Sequence, residues 1–515
     1  MNKRLLRIMS LVLLLGIAGH GAAPAHAAAP LPGPDPVFSP ASGTTFLTSV
    51  GGSMAVPGDF NLDGNMDFAV TNPTAGTVTI LLGPGFATPA AGSPQVMFTV
   101  GASTTSQPVY LAVADFDANG SPDLVVVNRQ SSAATVFKNN LTATGTVNFT
   151  RSVFPIPPFA ASVMPVQVAV GDVNGDSKLD FVTANYLGNS VAVFFGDGTG
   201  TSFSAFPAKS YPLTGAPSGS NPNSVVISDL NRDGRLDLVV GANNGSQLFT
   251  LLNGGSASDP FAAAPTPYVI GANPVAAAVA DMNGDLNPDV VVSNNGGVGG
   301  VPVISVLFGD GSGALGTAPC ASGCGPGTRL DIPGVGLSPQ GVVAGDVNGD
   351  GYPDIAVVDD AHGATDGVKI LLGNGLGCFG NTAPVGSPCG TWSPITLPAG
   401  SGPAGVGLAD VTGDGKPDLF VANQQVPGLT LFTNNTNGAA ACATTQAHPA
   451  PCIISPATPC IGIDVNLSGV TPAGSAVRGY SLTLKLSAGL TPCAAPAATG
   501  PLPTSALVTT NGFLQ

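Results

Sequence analysis

The chain has 515 residues, a formal net charge of −15 and only 9% charged residues, and every one of its 30 acidic residues is Asp. Its length allows a large core and more than one domain. The acidic balance gives no basic surface of the kind that binds nucleic acid. Asp is a poor helix former, and the 71 Gly and 48 Pro interrupt helices as well. The composition therefore favours an all-β protein.

The N-terminus reads as a secretory signal peptide. Lys3, Arg4 and Arg7 precede the apolar run LVLLLGIAG at 11–19, and the small residues of AHA follow at 25–27. This order of charged, apolar and small residues is typical of a signal peptide, here residues 1–27. The alternative, a membrane anchor, would need a longer apolar run. We predict export to the cell exterior, with no membrane span in the mature chain.

A nine-residue aspartate pattern occurs seven times after this segment. In chain order, loops 1 to 7 are DFNLDGNMD (59–67), DFDANGSPD (115–123), DVNGDSKLD (172–180), DLNRDGRLD (229–237), DMNGDLNPD (281–289), DVNGDGYPD (346–354) and DVTGDGKPD (410–418). Regular recurrence of this kind indicates a repeat architecture. The loops hold three Asp each and therefore most of the acidic residues of the chain.

Short apolar runs surround every loop. An apolar segment precedes the loop, as in VQVAVG (166–171), and another follows it, as in DFVTAN (180–185). A third run and a more variable fourth one complete the unit, as in VAVFFG (191–196) and QVMFTV (95–100). Four short strands per unit predict a seven-bladed β-propeller of four-stranded blades over residues 28–438. The alternative is a linear solenoid, which the near-constant period and the lack of long linkers disfavour.

The loops are predicted to bind calcium through loop positions 1, 3, 5, 7 and 9. Hard oxygen ligands in a flexible loop suit calcium, whereas zinc prefers His and Cys. Position 7 is expected to contribute only its backbone carbonyl, and up to seven ions would be bound. The predicted ligands are Asp59, Asn61, Asp63, Asn65, Asp67; Asp115, Asp117, Asn119, Ser121, Asp123; Asp172, Asn174, Asp176, Lys178, Asp180; Asp229, Asn231, Asp233, Arg235, Asp237; Asp281, Asn283, Asp285, Asn287, Asp289; Asp346, Asn348, Asp350, Tyr352, Asp354; Asp410, Thr412, Asp414, Lys416 and Asp418.

The seven loops are not equivalent. Thr412 is a neutral ligand in loop 7, Ser177 and Leu286 replace the Gly of position 6 in loops 3 and 5, and loop 4 carries Arg232 and Arg235. We therefore expect weaker binding at these four loops and the cleanest sites at loops 1 and 6. The alternative for the whole set is a series of solvated Asp-Gly turns that hold no ion.

These loops, together with the FG-D-G turns at 195–198 and 308–311, resemble the FG-GAP or VCBS repeat family, which includes the propeller of integrin α chains. The resemblance covers about residues 40–438. It implies a propeller fold and calcium binding. It does not specify a biochemical role, because the family includes adhesion, lectin-like and enzyme-associated proteins.

The ring is predicted to close by sharing blade 7 between the two ends of the propeller. The strand-like segment TTFLTSV (44–50) precedes loop 1 and has no blade of its own. The seventh unit supplies only three strands, the last at about 429–434. We therefore expect residues 44–50 to pair with 429–434 as the outer strand of blade 7.

The C-terminal part reads as an Ala/Pro/Thr-rich linker, 439–459, and a partial β-sandwich-like segment, 460–515. That segment resembles the start of a cohesin-like or immunoglobulin-like domain. It is either a fragment or a small disulfide-stapled appendage. In an exported chain the eight Cys favour disulfides. We expect local bridges, Cys320–Cys324, Cys378–Cys389, Cys442–Cys452 and Cys460–Cys493.

Three functions remain open at the level of sequence. The first is an extracellular, monomeric binding or adhesion scaffold for a protein or glycan ligand. The second is the propeller module of a polysaccharide-acting enzyme, and the third is a propeller-type lectin. We predict no catalytic residues, because Glu is absent and His362, in the insertion 359–367, is better read as part of a solvated loop. A lectin would be expected to stack sugars on aromatic rings, and Trp392 is the one Trp.

Overall fold

The computed structural model describes residues 36–46, 51–83, 95–101, 106–157, 162–213, 219–296, 301–316, 329–360, 367–379, 394–425 and 428–436. Every regular element in these ranges is a β-strand, and no helix among them is long and apolar enough to cross a membrane. The predicted signal peptide and the whole segment after residue 436 lie outside the described residues.

Within the described ranges, 28 strands form seven antiparallel four-stranded sheets. Blade 1 comprises β2 (Ala55–Gly58), β3 (Asp67–Asn72), β4 (Thr77–Leu81) and β5 (Gln95–Thr99). Blade 2 comprises β6 (Pro108–Ala114), β7 (Asp123–Asn128), β8 (Ala133–Asn139) and β9 (Phe149–Pro155). Blade 3 comprises β10 (Pro165–Gly171), β11 (Asp180–Asn185), β12 (Ser190–Phe194) and β13 (Lys209–Pro212). Blade 4 comprises β14 (Pro222–Ser228), β15 (Asp237–Ala242), β16 (Gln247–Leu251) and β17 (Thr266–Val269). Blade 5 comprises β18 (Ala272–Ala280), β19 (Asp289–Gly296), β20 (Val303–Leu307) and β21 (Leu330–Pro333). Blade 6 comprises β22 (Pro339–Gly345), β23 (Asp354–Asp359), β24 (Gly367–Leu371) and β25 (Ile395–Pro398).

Blade 7 is built from both ends of the propeller. It comprises β26 (Pro403–Ala409), β27 (Asp418–Asn423), β28 (Gly428–Asn434) and, as its outer strand, β1 (Phe38–Phe46). Phe38 pairs with Asn434 and Phe46 with Leu429, with an irregularity in register between Pro40 and Thr45. The predicted closure is confirmed. The predicted strand 44–50 overlaps this pairing at Thr45 and Phe46, but the observed strand begins earlier, at Phe38. Residues 47–50 lie outside the described residues.

The seven sheets stand in a closed ring. The first strand of each blade contacts the first strand of the next, in the order β2, β6, β10, β14, β18, β22, β26 and back to β2. The predicted propeller is therefore confirmed against the solenoid. A strand covered on both faces is expected to be apolar at consecutive positions. The second strands fit this rule, since every residue of β3, β7, β11, β15, β23 and β27 is buried.

The hydrophobic core consists of seven clusters, each between two neighbouring blades. The interface that closes the ring packs Phe68 of blade 1 against Phe420 of blade 7, with ring centroids 5.0 Å apart in an edge-to-face arrangement. Such aromatic pairs stabilise by about 1 kcal/mol beyond their area burial. The core is thus shared between blades, and no blade buries its faces alone.

Candidate metal centres

Each aspartate loop connects the first strand of its blade to the second. Because the blades have the same topology and pack side by side in a ring, all seven loops leave the sheets on one face of the propeller. The connections between third and fourth strands, among them the predicted Gly-rich turns, leave on the same face. The opposite face carries the turns between second and third strands and the crossings to the next blade.

The aspartate at position 9 is fully buried in every loop. Its exposed fraction is 0% in all seven copies: Asp67, Asp123, Asp180, Asp237, Asp289, Asp354 and Asp418. One carboxylate oxygen accepts a hydrogen bond from the backbone N–H of position 2, at 2.7–3.0 Å. The other oxygen accepts a hydrogen bond from a backbone N–H at or just after the end of the third strand, at 2.6–2.8 Å. Position 9 therefore joins the loop to the third strand of its own blade.

Burial changes the acid–base properties of most of these carboxyl groups, among them Asp67, Asp123, Asp180, Asp289 and Asp354. Removal from water raises the pKa of Asp67 to about 6, of Asp123 and Asp180 to about 7, and of Asp354 to about 8, and the two backbone N–H donors offset only part of the shift. The pKa of Asp289 is likewise raised to about 7. Neighbouring aspartates of the same loop add to the rise, because their negative charge disfavours ionisation.

The aspartate at position 1 closes the other end of the loop. It is half-buried, and its carboxylate accepts hydrogen bonds from the backbone N–H groups of positions 5 and 6 in all seven copies. The side-chain oxygen at position 5 in turn accepts the N–H of position 7. These bonds curl the loop so that the side chains of positions 1, 3 and 5 share one concave surface.

Two backbone positions in every loop are left-handed. Position 6 has φ of 65–88°, and Ser177 and Leu286 adopt this conformation without the conformational freedom of glycine. Position 4 is also left-handed, which the sequence analysis missed: Leu62, Ala118 and Arg232 hold φ of 55–60° there. A side chain beyond Gly in this region is strained. Loops 6 and 7, with Gly at both positions, are the relaxed copies.

The position-2 side chain anchors the loop in the core, a second feature that the sequence analysis missed. Its signal was present, since position 2 is apolar in all seven copies, and Phe60 and Met282 are fully buried. The position-2 carbonyl is also contacted by the following blade. Asn139 Nδ2 donates to the carbonyl of Phe60 at 2.9 Å, and Asn253 Nδ2 donates to that of Val173 at 2.7 Å. These loops therefore lie at the interfaces between blades.

The carboxylates do not converge equally in the seven loops. Within the described ranges, one group of three carboxylates has its oxygens within 4.8 Å of one another, and it consists of Asp115, Asp117 and Asp123 of loop 2. These residues occupy positions 1, 3 and 9, three of the five positions predicted to bind calcium in this loop. In loops with Asn at position 3, such as loop 1, Asn61 Nδ2 donates to Asp63 at position 5 and an amide oxygen replaces the third inner carboxylate.

Basic side chains lie beside some loops. In loop 4, Arg235 pairs with Asp233 of its own loop, as expected, while Arg232 reaches Asn287 of blade 5 instead. In loop 7, Lys416 lies 3.3 Å from Asp414. Loop 2 has a basic partner from outside the loop, Lys138, which is described below.

The donor set of these loops fits a hard divalent cation. Carboxylate, amide and hydroxyl oxygens occupy positions 1, 3 and 5, and the loops contain neither His nor Cys. Oxygen ligands in a curled loop are those that calcium prefers. Calcium would balance the charge of carboxylates that the protein itself leaves mostly without a basic partner. The residues present therefore fit calcium binding.

A polar cavity of about 430 Å³ lies between loops 1 and 2. Its lining includes Asp59, Asp63, Asn119, Thr142 and Thr144, and it contains no aromatic side chain. Thr144, from the connection between β8 and β9, donates a hydrogen bond of 2.6 Å to the carbonyl of Leu62. Blade 2 thus closes one wall of the cavity over loop 1.

Several predicted features fall outside the described residues, among them His362, Trp392 and seven of the eight cysteines. Cys378 is described and buried, and its predicted bridge to Cys389 stays a prediction.

Comparison with known proteins gives a family match. The FG-GAP-like repeat matches residues 59–126, 115–183, 172–240, 229–292 and 346–421, together more than half of the chain. Each matched segment begins at the position-1 aspartate of a loop. No curated protein shows a significant match to the chain.

The solved structures that match this chain share little sequence with it. BBS1N, in its complex with ARL6DN, is 11% identical with a TM-score of 0.48, and the match covers 78% of this chain and 99% of that one. A lectin from Agrocybe aegerita that recognises non-reducing terminal N-acetylglucosamine is 19% identical with a TM-score of 0.40, covering 65% and 79%. A protein from Desulfotomaculum acetoxidans is 12% identical with a TM-score of 0.41, covering 63% and 83%.

Proposed function

The chain belongs to the FG-GAP-like repeat family, and on that premise we propose that it is an exported, calcium-stabilised propeller that acts as an extracellular scaffold for binding or adhesion. The observation that supports the calcium part is repetition. The same oxygen-rich arrangement recurs in all seven loops, at one place in the fold and on one face.

Calcium in this proposal has a structural role. An ion held by positions 1, 3, 5 and 9 and by the position-7 carbonyl supplies positive charge to aspartates that otherwise repel one another. Position 9 is hydrogen-bonded to the third strand, and the position-2 carbonyl of loops 1 and 3 is contacted by the next blade. Binding at such a loop therefore stabilises both its own blade and an interface between blades.

The proposed ligand is a protein or a glycan, and the described surface favours a protein. Sugar sites in proteins commonly stack the sugar on an aromatic ring, but the cavity between loops 1 and 2 is lined by Asp, Asn, Thr, Gly and Leu. The acidic loop face offers complementary charge to a basic protein surface. A lectin and an enzyme-associated module are the other outcomes of the test.

The experiment has two arms. Native mass spectrometry of the mature chain should show bound calcium that EDTA removes, and a panel of extracellular proteins and a glycan array should show binding that depends on calcium. Asp63→Asn, in loop 1, should reduce calcium binding by one ion. Asp310→Asn, an exposed aspartate on the same face outside the loops, is the matched control. A chain that binds no calcium at millimolar concentration contradicts the proposal.

A further inference from the structure

Loop 2 differs from the other six loops in the arrangement of its acidic residues. It is the one loop with Asp at position 3, Asp117, and with Asn at position 5, Asn119. Loop 2 therefore carries its third carboxylate at position 3, close to positions 1 and 9, whereas the other loops carry it at position 5. Asp117 lies with Asp115 and Asp123 in the group whose oxygens are within 4.8 Å of one another. This loop therefore concentrates more negative charge at its centre than any other.

A lysine from the blade itself meets this group. Lys138 Nζ lies 2.6 Å from Asp117 Oδ2, and the two side chains are 24% and 9% exposed. Lys138 is the penultimate residue of β8, directly before Asn139, whose N–H binds the position-9 carboxylate of Asp123. The ammonium group is thus carried by a strand and held next to the loop, whereas Arg235 and Lys416 belong to their own loops.

The corresponding residue of the other blades is never charged. Lys138 directly precedes the residue whose backbone N–H donates to the position-9 carboxylate. In the other six blades the residue at this place is Leu82, Phe195, Leu252, Phe308, Leu372 or Thr433. Five of these six are apolar. The extra inner carboxylate and the lysine therefore occur together, in one blade of seven.

The next blade closes over this lysine. Lys138 Nζ donates a hydrogen bond of 3.0 Å to the carbonyl of Thr199 in blade 3. A Cβ added at Gly200 would stand 3.4 Å from Cδ of Lys138 and 3.5 Å from Oδ2 of Asp123. Gly313 lies against Leu252, and Gly377 against Phe308, in the same way. The stem of Lys138 therefore packs as an apolar residue does, while its ammonium group faces the aspartates.

From this geometry we infer that Lys138 is the resident cation of loop 2 and takes the place that calcium has in other loops. Calcium binds carboxylate oxygens at about 2.3–2.6 Å. An ion on Asp117 would stand within about 5 Å of the ammonium group, given the 2.6 Å ion pair. The two positive charges would repel each other at a place with limited access to water. Loop 2 therefore keeps its folded conformation without a bound metal ion, and the contact between blades 2 and 3 does not depend on calcium.

This inference rests on the proposed calcium binding, and one experiment separates the two. Native mass spectrometry counts the calcium ions bound per chain for the wild type, for Lys138→Met and for Lys369→Met. Lys369 is a lysine of the third strand of blade 6 that hydrogen-bonds Thr396 and has no aspartate partner among the described contacts. We expect Lys138→Met to bind one ion more than the wild type and Lys369→Met to bind the same number as the wild type.

The melting temperature in EDTA supplies a second measurement. Lys138→Met should melt below Lys369→Met in EDTA, because three carboxylates lose their cation, and calcium should close the gap. Lys138→Leu, which restores the residue of blades 1, 4 and 6, should behave in the same way. An unchanged ion count, or a gap in melting temperature that calcium leaves in place, overturns the assignment of Lys138. A wild type without any bound calcium overturns the proposed function instead.

Discussion

The two ends of each aspartate loop differ in their surroundings although both carry a carboxylate. Asp354, at position 9 of loop 6, is fully buried and accepts backbone hydrogen bonds from Val347 and Gly373. Asp346, at position 1, is half-buried and accepts N–H groups of its own loop only. The position-9 carboxylate is part of the framework of the blade, and the position-1 carboxylate stabilises a local turn.

This difference explains how a repeated motif can serve both fold and binding. The position-9 aspartate would hold β22, β23 and the end of β24 together whether or not an ion is present. Positions 1, 3 and 5 have hydrogen bonds that a curled loop can keep while it contacts an ion. Substitutions along one loop should therefore have unequal effects.

The largest effect should come from the framework itself, by removal of β1. Deleting residues 28–46 removes the outer strand of blade 7 and leaves the edge of β28 unpaired. We expect loss of cooperative unfolding for the whole propeller, because each hydrophobic cluster is shared between blades. Thermal unfolding followed by circular dichroism measures this. A truncated chain that melts like the full one would refute the shared-blade closure.

The next effect contrasts position 9 with position 5 of loop 6. Asp354→Ala leaves two buried N–H groups without an acceptor, which should lower the free energy of unfolding by about 2–4 kcal/mol in EDTA. The loss should be larger in calcium, because position 9 is also a proposed calcium ligand. Asp350→Ala, at position 5, should cost little in EDTA and should reduce only the gain from calcium. Urea unfolding of both variants under both conditions tests this. Equal losses for the two variants in EDTA would show that position 9 has no special structural role.

A pH series tests the buried end alone. Burial raises the pKa of Asp180, Asp289 and Asp354 above that of the unfolded chain, so the folded state binds more protons between about pH 4 and pH 8. Stability in EDTA should therefore fall as pH rises from 5 to 8. Calcium favours the ionised form and should reduce this slope. A melting temperature in EDTA that rises over the same range would contradict the assignment.

The smallest effect concerns the strained turn of loop 5. Leu286 is 72% exposed and has a φ of 69°, so its side chain adds strain and little packing. Leu286→Gly should raise the free energy of unfolding by about 0.5–1 kcal/mol. Leu337→Gly is the matched control, since Leu337 is 71% exposed and is not among the left-handed residues. The control should lose stability, and a loss for Leu286→Gly as well would show that the turn is not strained.

The fold could be predicted from sequence because its signals are local and repeated. The seven loops and their flanking apolar runs define strand order, and the count of strands in the first and last units requires β1 to complete blade 7. The start of β1 at Phe38 could not be predicted, because FSPASGTTF has no alternation and pairs with an irregular register.

The site could be predicted in composition but not in geometry. Gly at position 6 signals a left-handed residue, whereas Leu62 at position 4 gives no such signal and depends on the tertiary fold. The carboxylates at positions 1 and 9 look alike in sequence, and only the path of the third strand separates them. The role of Lys138 becomes visible only when the blades are aligned at the residue whose backbone N–H donates to the position-9 carboxylate.

The most direct test of the account is the melting temperature of the mature chain at pH 7.5 in excess EDTA, in calcium, and in magnesium at the same concentration. The aspartate loops hold 21 of the 30 acidic residues of a chain with net charge −15, and calcium should relieve their repulsion. The account predicts a marked rise in melting temperature with calcium, reversed by EDTA, and a smaller rise with magnesium, which demands stricter octahedral geometry. A melting temperature that is the same in EDTA and in calcium would contradict it.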